Sequence, residues 1–270
     1  MIEGREGSRS AVLVPLYKES MTESEYFSFR TTLAILARHD IYVVCPMRLC
    51  PYVEGLKKKY LKLRAEYFPD RYFSGIAGYN RLLKSNVFYK RFKQYEYVLI
   101  VQTDALVFSD ELTEWCERGY SYIGAPLFEG FDNPVIPPVF MGGGNGGFSL
   151  RKVQDFIRVL SYPRRIPNVM SVGPNVIQFI KHHFIFAYSF PRLLQPQINE
   201  DLFWGVLVPR SCEFFTVAAP EDALSFAFEV APEYLFELNK RQLPFGCHAW
   251  EKYNLQFWRK TLYDHGKALP

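Results

Sequence analysis

The stretch YEYVLIVQTDALVF, residues 95–108, decides the fold of this chain. Its residues 98–101 form an unbroken apolar run rich in β-branched side chains, which is typical of a strand buried on both faces of an α/β sheet. Asp104 follows that strand, and open α/β sheets bind their ligands at the carboxyl ends of their strands. A buried carboxylate there needs a metal ion or a hydrogen-bond donor as its partner. The alternative is that Asp104 only caps a turn.

The start of the chain predicts a strand, a helix and a second strand in close succession. Residues 10–17 read as a buried strand, and residues 22–25 carry a capping-box signature that begins a helix over residues 26–38. Residues 41–45 then form another strand. This order is typical of a parallel, right-handed crossover unit. We therefore expect an α/β fold in which a mostly parallel central sheet is flanked by helices.

The remaining segments predict further helices, strands and loops. Helices are expected at residues 53–67, 76–92, 110–116, 148–160 (with Ser149 as cap), 218–223 and 253–270. Short strands are expected at residues 71–74, 122–126 and 226–230, and residues 127–141 read as a loop. The apolar segment 176–190 contains His182 and His183, but adjacent histidines point to different sides of a helix, so we expect no joint metal site there.

Composition places the chain among globular proteins. Its 270 residues suit one large domain or two small ones. Of these residues 49% are apolar, which is typical of a globular protein. The net charge of +4 is mild, and short basic clusters such as residues 57–59 are more typical of solvated helix faces than of a nucleic-acid surface. We therefore expect no nucleic-acid partner.

The cysteines and the apolar runs indicate a compartment. The five cysteines form no C-x-x-C pair and no zinc spacing, which suits a reducing compartment. No stretch approaches the ~20 apolar residues of a membrane span, and the amino end lacks a signal-peptide core. We expect residues 1–9 to be the remnant of an expression tag, because residues 1–5 look like a protease-cleavage linker.

Several polar groups stand at the ends of apolar segments: Asp104, Asn145, the Glu200–Asp201 pair and His248. Mixed carboxylate and imidazole ligands with open positions suit Mn²⁺ or Mg²⁺ bound together with a diphosphate. Asn145 lies in a run with five glycines in six positions, residues 142–147. Each glycine costs conformational entropy, so the run indicates a backbone that turns sharply or lets a ligand approach closely.

Four motifs carry a resemblance to a known class of enzyme. The motifs Q-x-D-A-x-V-F, G-N-G-G-F-S-L-R, N-E-D-x-F-W and P-F-G-C-H-A-W occupy residues 102–108, 144–151, 199–204 and 244–250. In this order the chain resembles GT-A-type glycosyltransferases and a bacterial and viral family long listed as of unknown function. The resemblance implies a single GT-A-like, Rossmann-like domain over residues 10–270. It also implies a nucleotide-binding half at about 10–125 and an acceptor and catalytic half at about 126–260.

The resemblance implies a metal site. GT-A enzymes use a D-x-D motif to bind the metal and the nucleotide ribose, and Asp104 takes the second Asp position here. Gln102 stands in the first, so Gln102 and Thr103 are expected to contact the donor. The late histidine of the family pattern falls on His248 as a metal ligand, although a core histidine is the alternative. Lys252 resembles a lysine that neutralises the donor diphosphate.

The resemblance also implies a catalytic acid pair. The x-E-D motif of inverting GT-A enzymes falls on Asn199, Glu200 and Asp201, with Asp201 as general base and Glu200 positioning a sugar hydroxyl; the reverse assignment is open. An alcohol is a poor nucleophile until its proton is leaving, and a metal stabilises the charge that grows on the diphosphate. The alternative is that both acids cap the helix beginning near Leu202.

Further residues are expected around the substrates. Gly144, Asn145, Gly146 and Gly147 would line the sugar pocket. Tyr17 would stack on the nucleotide base, and Asn80 and Lys84, on one helical face, would reach the nucleotide or its phosphates.

The resulting hypothesis is an inverting, metal-dependent glycosyltransferase. It would move a sugar from a nucleotide-sugar donor, first of all a UDP-sugar, to a hydroxyl of a glycan or lipid-linked glycan in surface polysaccharide synthesis. We expect it in the cytoplasm, with peripheral association to the membrane allowed. The alternatives are a catalytically silent nucleotide- or glycan-binding subunit, a GT-A transferase that uses basic residues instead of a metal, and a retaining mechanism.

Overall fold

The computed structural model describes residues 9–161, 198–210 and 212–266 of the chain. The predicted segment 176–190, with His182 and His183, lies outside the described residues. The strands are β1 Ser10–Pro15, β2 Asp40–Pro46, β3 Arg64–Phe68, β4 Tyr97–Val101, β5 Leu106–Val107, β6 Tyr122–Gly124, β7 Pro126–Phe128, β8 Phe140–Gly143, β9 Phe148–Lys152, β10 Ala227–Phe228 and β11 Gly246–Cys247.

The α-helices of the described residues lie between and around these strands. They are α1 Glu23–Ile35, α2 Cys50–Lys59, α3 Gly75–Leu83, α4 Asn86–Arg91, α5 Leu112–Glu117, α6 Val153–Ser161, α7 Glu200–Leu202, α8 Pro220–Phe226, α9 Pro232–Leu238 and α10 Leu255–Asp264. Short 3-10 helices occupy Met47–Leu49 and Asp70–Phe73, and a π-helical turn, Phe203–Leu207, continues α7. No helix of the described residues is both long and apolar enough to cross a bilayer.

The central sheet has six strands in the order β3-β2-β1-β4-β9-β6. β1 pairs in parallel with β2 and with β4, and β2 pairs in parallel with β3. β9 runs antiparallel to both of its neighbours, β4 and β6. The sheet is therefore mostly parallel and flanked by helices, as the sequence predicts.

β4 lies inside the sheet with every one of its residues buried. Its side chains alternate between two apolar layers. Val98 and Ile100 join one of them, and Leu99 and Val101 join the other. Because both faces are covered, the strand needs apolar residues at successive positions, which is why its sequence is an unbroken apolar run.

The helix after β1 begins at the predicted capping box. The Thr22 hydroxyl accepts a hydrogen bond from the Glu25 amide at 3.2 Å, and the Glu25 carboxylate accepts one from the Thr22 amide at 2.7 Å. Both contacts satisfy amides that the first helical turn leaves without partners. This prediction is confirmed.

The helix predicted at residues 148–160 is wrong in its first turn. Residues 148–152 form β9, and α6 begins only at Val153. Ser149 does not cap a helix; its hydroxyl donates to the Gly146 carbonyl at 2.9 Å. β9 is held by backbone hydrogen bonds to strands on both sides, and this long-range pairing outweighs the local helical pattern.

Three more predicted elements differ from the structure. The helix predicted at residues 53–67 ends at Lys59, and residues 64–68 form the edge strand β3 instead. The strand predicted at 71–74 is part of a 3-10 helix. The helix predicted at 76–92 is split into α3 and α4, because Ser85 has extended backbone angles and its hydroxyl donates to the Leu82 carbonyl at 2.7 Å.

A second sheet brings distant motifs together. It has the order β10-β11-β5, with β11 antiparallel to β5 and parallel to β10. The segment after β4 thereby meets residues 246–247. A two-stranded antiparallel pair, β7 and β8, brackets most of the predicted loop 127–141.

Candidate active site

Asp104 and His248 meet where β5 pairs with β11. The Oδ1 atom of Asp104 lies 3.3 Å from Nε2 of His248. The side-chain oxygen of Gln102 lies 3.2 Å from the same ring nitrogen. Three residues that the sequence predicts to act together are therefore in contact. Thr103 is half-buried in the turn between β4 and β5.

Glu229 orients the imidazole from the other side. Its Oε1 atom lies 2.9 Å from Nδ1 of His248, and its side chain is 9% exposed. A carboxylate on the second ring nitrogen is the usual partner of a metal-binding histidine, because it fixes the tautomer and the ring orientation. Sequence reasoning missed Glu229, although one acid inside the apolar run 226–230 was a signal.

The contacts of His248 and Asp104 shift both pKa values. Burial lowers the pKa of His248, but the carboxylates of Glu229 and Asp104 outweigh burial and raise that pKa to about 10. Burial raises the pKa of Asp104, and the contact with His248 more than offsets this, so the pKa falls below its usual value. Because a metal binds neutral imidazole, binding here would release a proton.

The residues present fit a divalent cation that is shared with a diphosphate. The part of the chain that the structure describes has no group of three or more His, Cys, Asp or Glu side chains able to hold a metal. Asp104 and His248 supply one oxygen and one nitrogen ligand, with Glu229 behind the imidazole. Mg²⁺ is commonly held by one or two protein ligands together with phosphate oxygens and water, so two ligands suffice for such a site.

Glu200 is engaged in a buried ion pair with Arg151. The two terminal nitrogens of Arg151 donate to the two carboxylate oxygens at 2.7 and 2.9 Å, and the Arg151 side chain is 0% exposed. Arg151 also donates to the Tyr89 hydroxyl at 3.0 Å and to the Ser149 hydroxyl at 3.1 Å. Arg151 belongs to a motif that the sequence singles out, but its partner lies 49 residues away and was not predicted.

Asp201 is only half-buried, in contrast to Glu200. One carboxylate oxygen accepts a hydrogen bond from the Leu202 amide at 2.7 Å. Burial, and then the nearby charge of Glu200, raise the pKa of Asp201 to about 7. The Asp201 carboxylate can therefore gain and lose a proton near neutral pH.

Asn80 and Lys84 hold the turn that carries the two acids. The Asn80 side-chain oxygen accepts from the Glu200 amide at 3.1 Å, and its nitrogen donates to the Asn199 side chain at 3.2 Å. The Lys84 ammonium donates to the Ile198 carbonyl, and burial lowers its pKa to about 8. Both side chains thus contact this turn directly, and their predicted contact with a nucleotide stays a prediction.

The glycines before β9 are required by protein groups. A Cβ atom at Gly146 would overlap the Glu200 carboxylate, and one at Gly147 would overlap the His248 ring. Gly144 has a φ of 135°, in the region that favours glycine. Asn145 accepts a hydrogen bond from the Gly147 amide at 2.9 Å. The groups that approach these glycines closely are the candidate catalytic and metal-binding side chains, and the close approach of a ligand stays a prediction. Contact of this run with a sugar stays a prediction.

Two cavities adjoin at Asp201, and both are also lined by Asn145 and Asn199. The first, of about 680 Å³, extends along the glycine run to Gln102 and His248. The second, of about 450 Å³, lies under the segment that follows β7.

Tyr17 and Lys252 lie at the first cavity. Tyr17 packs edge-on against Phe73 and Tyr79, with ring centroids 5.9 and 5.4 Å apart. The Lys252 ammonium lies 2.8 Å from the Asp132 carboxylate, which also accepts from the Tyr253 hydroxyl. Tyr17 thus lines the first cavity, and its stacking on a base stays a prediction, whereas Lys252 is held in an exposed ion pair.

Comparison with solved structures defines the class of fold. Mouse xyloside xylosyltransferase 1, in its apo form, is 12% identical over 90% of this chain and 97% of its own, with a TM-score of 0.52. GlyE from Streptococcus pneumoniae TIGR4 is 12% identical over 94% of this chain and 60% of its own, with a TM-score of 0.46. The architecture is that of GT-A-like glycosyltransferases, and the predicted fold class is confirmed.

The sequence identifies the family. The chain belongs to the family described as "Protein of unknown function (DUF5672)", which matches residues 62–248. Among curated proteins, no sequence matches the chain. The expected likeness to GT-A-type enzymes is thus confirmed for the fold, and the roles of the four motifs stay predictions.

Proposed function

We propose that this protein is an inverting glycosyltransferase that moves a sugar from a nucleotide-sugar donor to a glycan hydroxyl. The observation that carries the proposal is the position of Asp201, in the wall shared by two cavities. A transferase must bring two substrates to one general base, and a binding protein needs no such arrangement. The GT-A-like fold agrees with this reading.

Asp201 is the general base in this proposal. It accepts the proton of the acceptor hydroxyl while that oxygen bonds to the anomeric carbon and the bond to the diphosphate breaks. A base works best when its pKa lies near the working pH, and the pKa of Asp201 is raised to about 7. Glu200 is unsuited to this role because both of its oxygens accept from Arg151, and protonation would leave a buried guanidinium unpaired. Glu200 instead fixes the turn that carries Asp201.

The first cavity takes the donor. Tyr17 would provide an aromatic wall for the nucleotide base, and Gln102, which lines this cavity, would contact the ribose together with the neighbouring Thr103. Asp104 and His248 would hold Mn²⁺ or Mg²⁺ against the diphosphate, and a cation there stabilises the leaving group. Lys252 can reach the phosphates if it leaves Asp132.

The biological setting is proposed from weaker observations. The cysteines at positions 45, 50, 116, 212 and 247 are all free, which suits a reducing compartment where activated sugars are made. We place the protein in the cytoplasm, with peripheral membrane contact through a lipid-linked acceptor, in surface polysaccharide synthesis. The division into a donor half at 10–125 and an acceptor half at 126–260 belongs to the same proposal.

Release of nucleoside diphosphate tests the proposal. The protein is incubated with UDP-glucose, UDP-galactose, UDP-xylose, UDP-GlcNAc or GDP-mannose, together with a mixture of methyl glycosides whose hydroxyls can receive the sugar, and with Mn²⁺ or with excess EDTA. We expect release from a UDP-sugar with Mn²⁺ and none with EDTA. Full release in EDTA would instead favour the metal-independent transferase. Nucleotide-sugar binding without any release would favour the silent subunit, for which Gln102 in the first Asp position is the motivation.

A further inference from the structure

We infer that the second cavity binds the acceptor and that it selects an uncharged sugar end over a phosphorylated or uronate end. This inference rests on the proposed function, since it names the substrate class for the same base. It assigns a role to residues that carry none in the proposal above: Phe131 and Asp132 after β7, and Glu229 on its cavity-facing side.

The position of the cavity defines its role. A general base must lie within hydrogen-bond reach of the proton it removes. With the donor in the first cavity, the attacking hydroxyl must approach Asp201 from the second. The volume of about 450 Å³ lies within the range of about 300–1,000 Å³ that small-ligand sites occupy, so a terminal sugar fits.

The ionisable side chains that line the cavity, among the described residues, are all acidic. Of the described residues that line it, the ionisable ones are Asp132, Asp201 and Glu229, and none is Lys, Arg or His. The cations that pair with them, Lys252 and His248, are not among those lining residues. The described lining residues therefore offer a ligand carboxylate acceptors and the amides of asparagines. Sugar hydroxyls can donate to these carboxylates, whereas a phosphate or a uronate would meet carboxylates whose cations, Lys252 and His248, are already engaged in ion pairs.

The apolar part of the wall suits the carbon face of a sugar ring. Leu127, Phe128 and Val230 line it together with Phe131. Phe131 is half-buried with a φ of 49°, a strained value for an aromatic residue, and its amide donates to the Phe128 carbonyl at 3.1 Å. Such strain tends to persist where the surrounding structure over-determines it, often at ligand sites. We assign Phe131 as the platform on which the acceptor ring packs.

Saturation-transfer NMR with simple glycosides tests the inference without needing the natural acceptor. The probes are methyl β-glucoside, methyl β-galactoside and methyl β-glucuronide, each added to the protein with UDP and Mg²⁺. We expect a saturation-transfer signal for at least one neutral glycoside and a signal at least about tenfold weaker for the glucuronide, because one like charge commonly changes binding by that much. An equal or stronger signal for the glucuronide overturns the inference.

Two variants with matched controls locate the binding. Phe131→Ala should abolish the signal of the neutral glycoside and leave that of UDP unchanged, while Tyr263→Ala, at an exposed aromatic residue on α10, should change neither. Asp132→Asn should raise the glucuronide signal relative to the glucoside, and the exposed Asp264→Asn should not. Asp132→Asn removes no packed aromatic ring, so this variant still tests the inference if Phe131→Ala unfolds.

The UDP signal distinguishes a failure of the proposed acceptor site from a failure of the proposed function. UDP binding without any glycoside binding, or glycoside binding that Phe131→Ala and Asp132→Asn leave unaltered, overturns the acceptor site and leaves the donor site standing. Absence of binding by both UDP and GDP overturns the proposed function itself.

Discussion

Glu200 and Arg151 form a deeply buried ion pair next to the candidate base. Breaking such a pair from one side is costly, because the remaining charge stays buried without its partner. We predict that Glu200→Gln lowers the free energy of unfolding by about 3 kcal/mol, measured by urea denaturation. The control is Glu237→Gln, which removes the exposed ion pair with Arg241 and should change stability far less, because solvent screens exposed charges. Equal effects of the two substitutions would contradict the buried pair.

The raised pKa of Asp201 makes stability depend on pH. Its folded-state pKa of about 7 lies above the ordinary 3.8, so the protonated form is favoured by folding. That contribution is complete below about pH 4 and is lost as the pH rises through about 7. We predict that Asp201→Asn is more stable than the wild type at pH 8 and that this advantage shrinks towards pH 4.5, in melts at both pH values. A constant difference, or one that grows at low pH, would show that the carboxyl is ordinary.

Among single residues, the sequence predicted which side chains lie together better than it predicted the hydrogen-bond partners that hold them. Asp104 and His248 meet as expected, because each stands in a motif of its own beside a strand. Glu229 and Arg151 were missed, since what reveals their roles is a contact to a residue 19 or 49 positions away. Local pattern cannot specify which buried acid pairs with which base. The structure adds a reason to prefer Asp201 over Glu200 as the base, since Arg151 holds both carboxylate oxygens of Glu200.

The glycine run couples the backbone before β9 to the site. We predict that Gly147→Ala pushes the His248 ring away, destabilises the protein by about 1–3 kcal/mol and weakens UDP binding in the presence of Mg²⁺. Thermal melts and calorimetric titration with UDP would measure both effects. The matched control is Gly55→Ala in α2, where a new Cβ meets nothing within 4 Å and the helix should gain up to about 1 kcal/mol. If Gly147→Ala also stabilised the protein, the close contact with His248 would be refuted.

Elements were predicted well where a strong local pattern marks them in the sequence. β4 and the capped α1 are examples, since an apolar run and a capping box are readable within a few residues. β9 was predicted as the start of a helix because its strand character comes from pairing with β4 and β6. β3, at the sheet edge, has an exposed and partly buried pattern that resembles an amphipathic helix. Non-local hydrogen bonding decides both cases.

At the scale of the whole molecule, two sheets assemble the site from distant segments. Strand β4 of the central sheet ends at Val101, and the pairing of β5 with β11 in the second sheet brings His248 to Asp104. We predict that UDP and Mg²⁺ together raise the melting temperature, with up to about 2.7 kcal/mol of stabilisation at a ligand concentration of 100 Kd. UDP alone should give less, and His248→Ala should remove the extra effect of Mg²⁺. An unchanged Mg²⁺ effect in that variant would place the cation elsewhere.

In the proposed reaction, Asp201 removes the acceptor proton and the anomeric configuration of the transferred sugar inverts. The most direct measurement follows transfer from the preferred nucleotide-sugar to an accepted glycoside by NMR, for the wild type and for Asp201→Asn under saturating substrates. We predict a product whose anomeric configuration is opposite to that of the donor, and a loss of kcat of about 10²–10⁴-fold in Asp201→Asn with the Kd of UDP unchanged. Undiminished transfer by Asp201→Asn, or a product that keeps the configuration of the donor, would contradict the account.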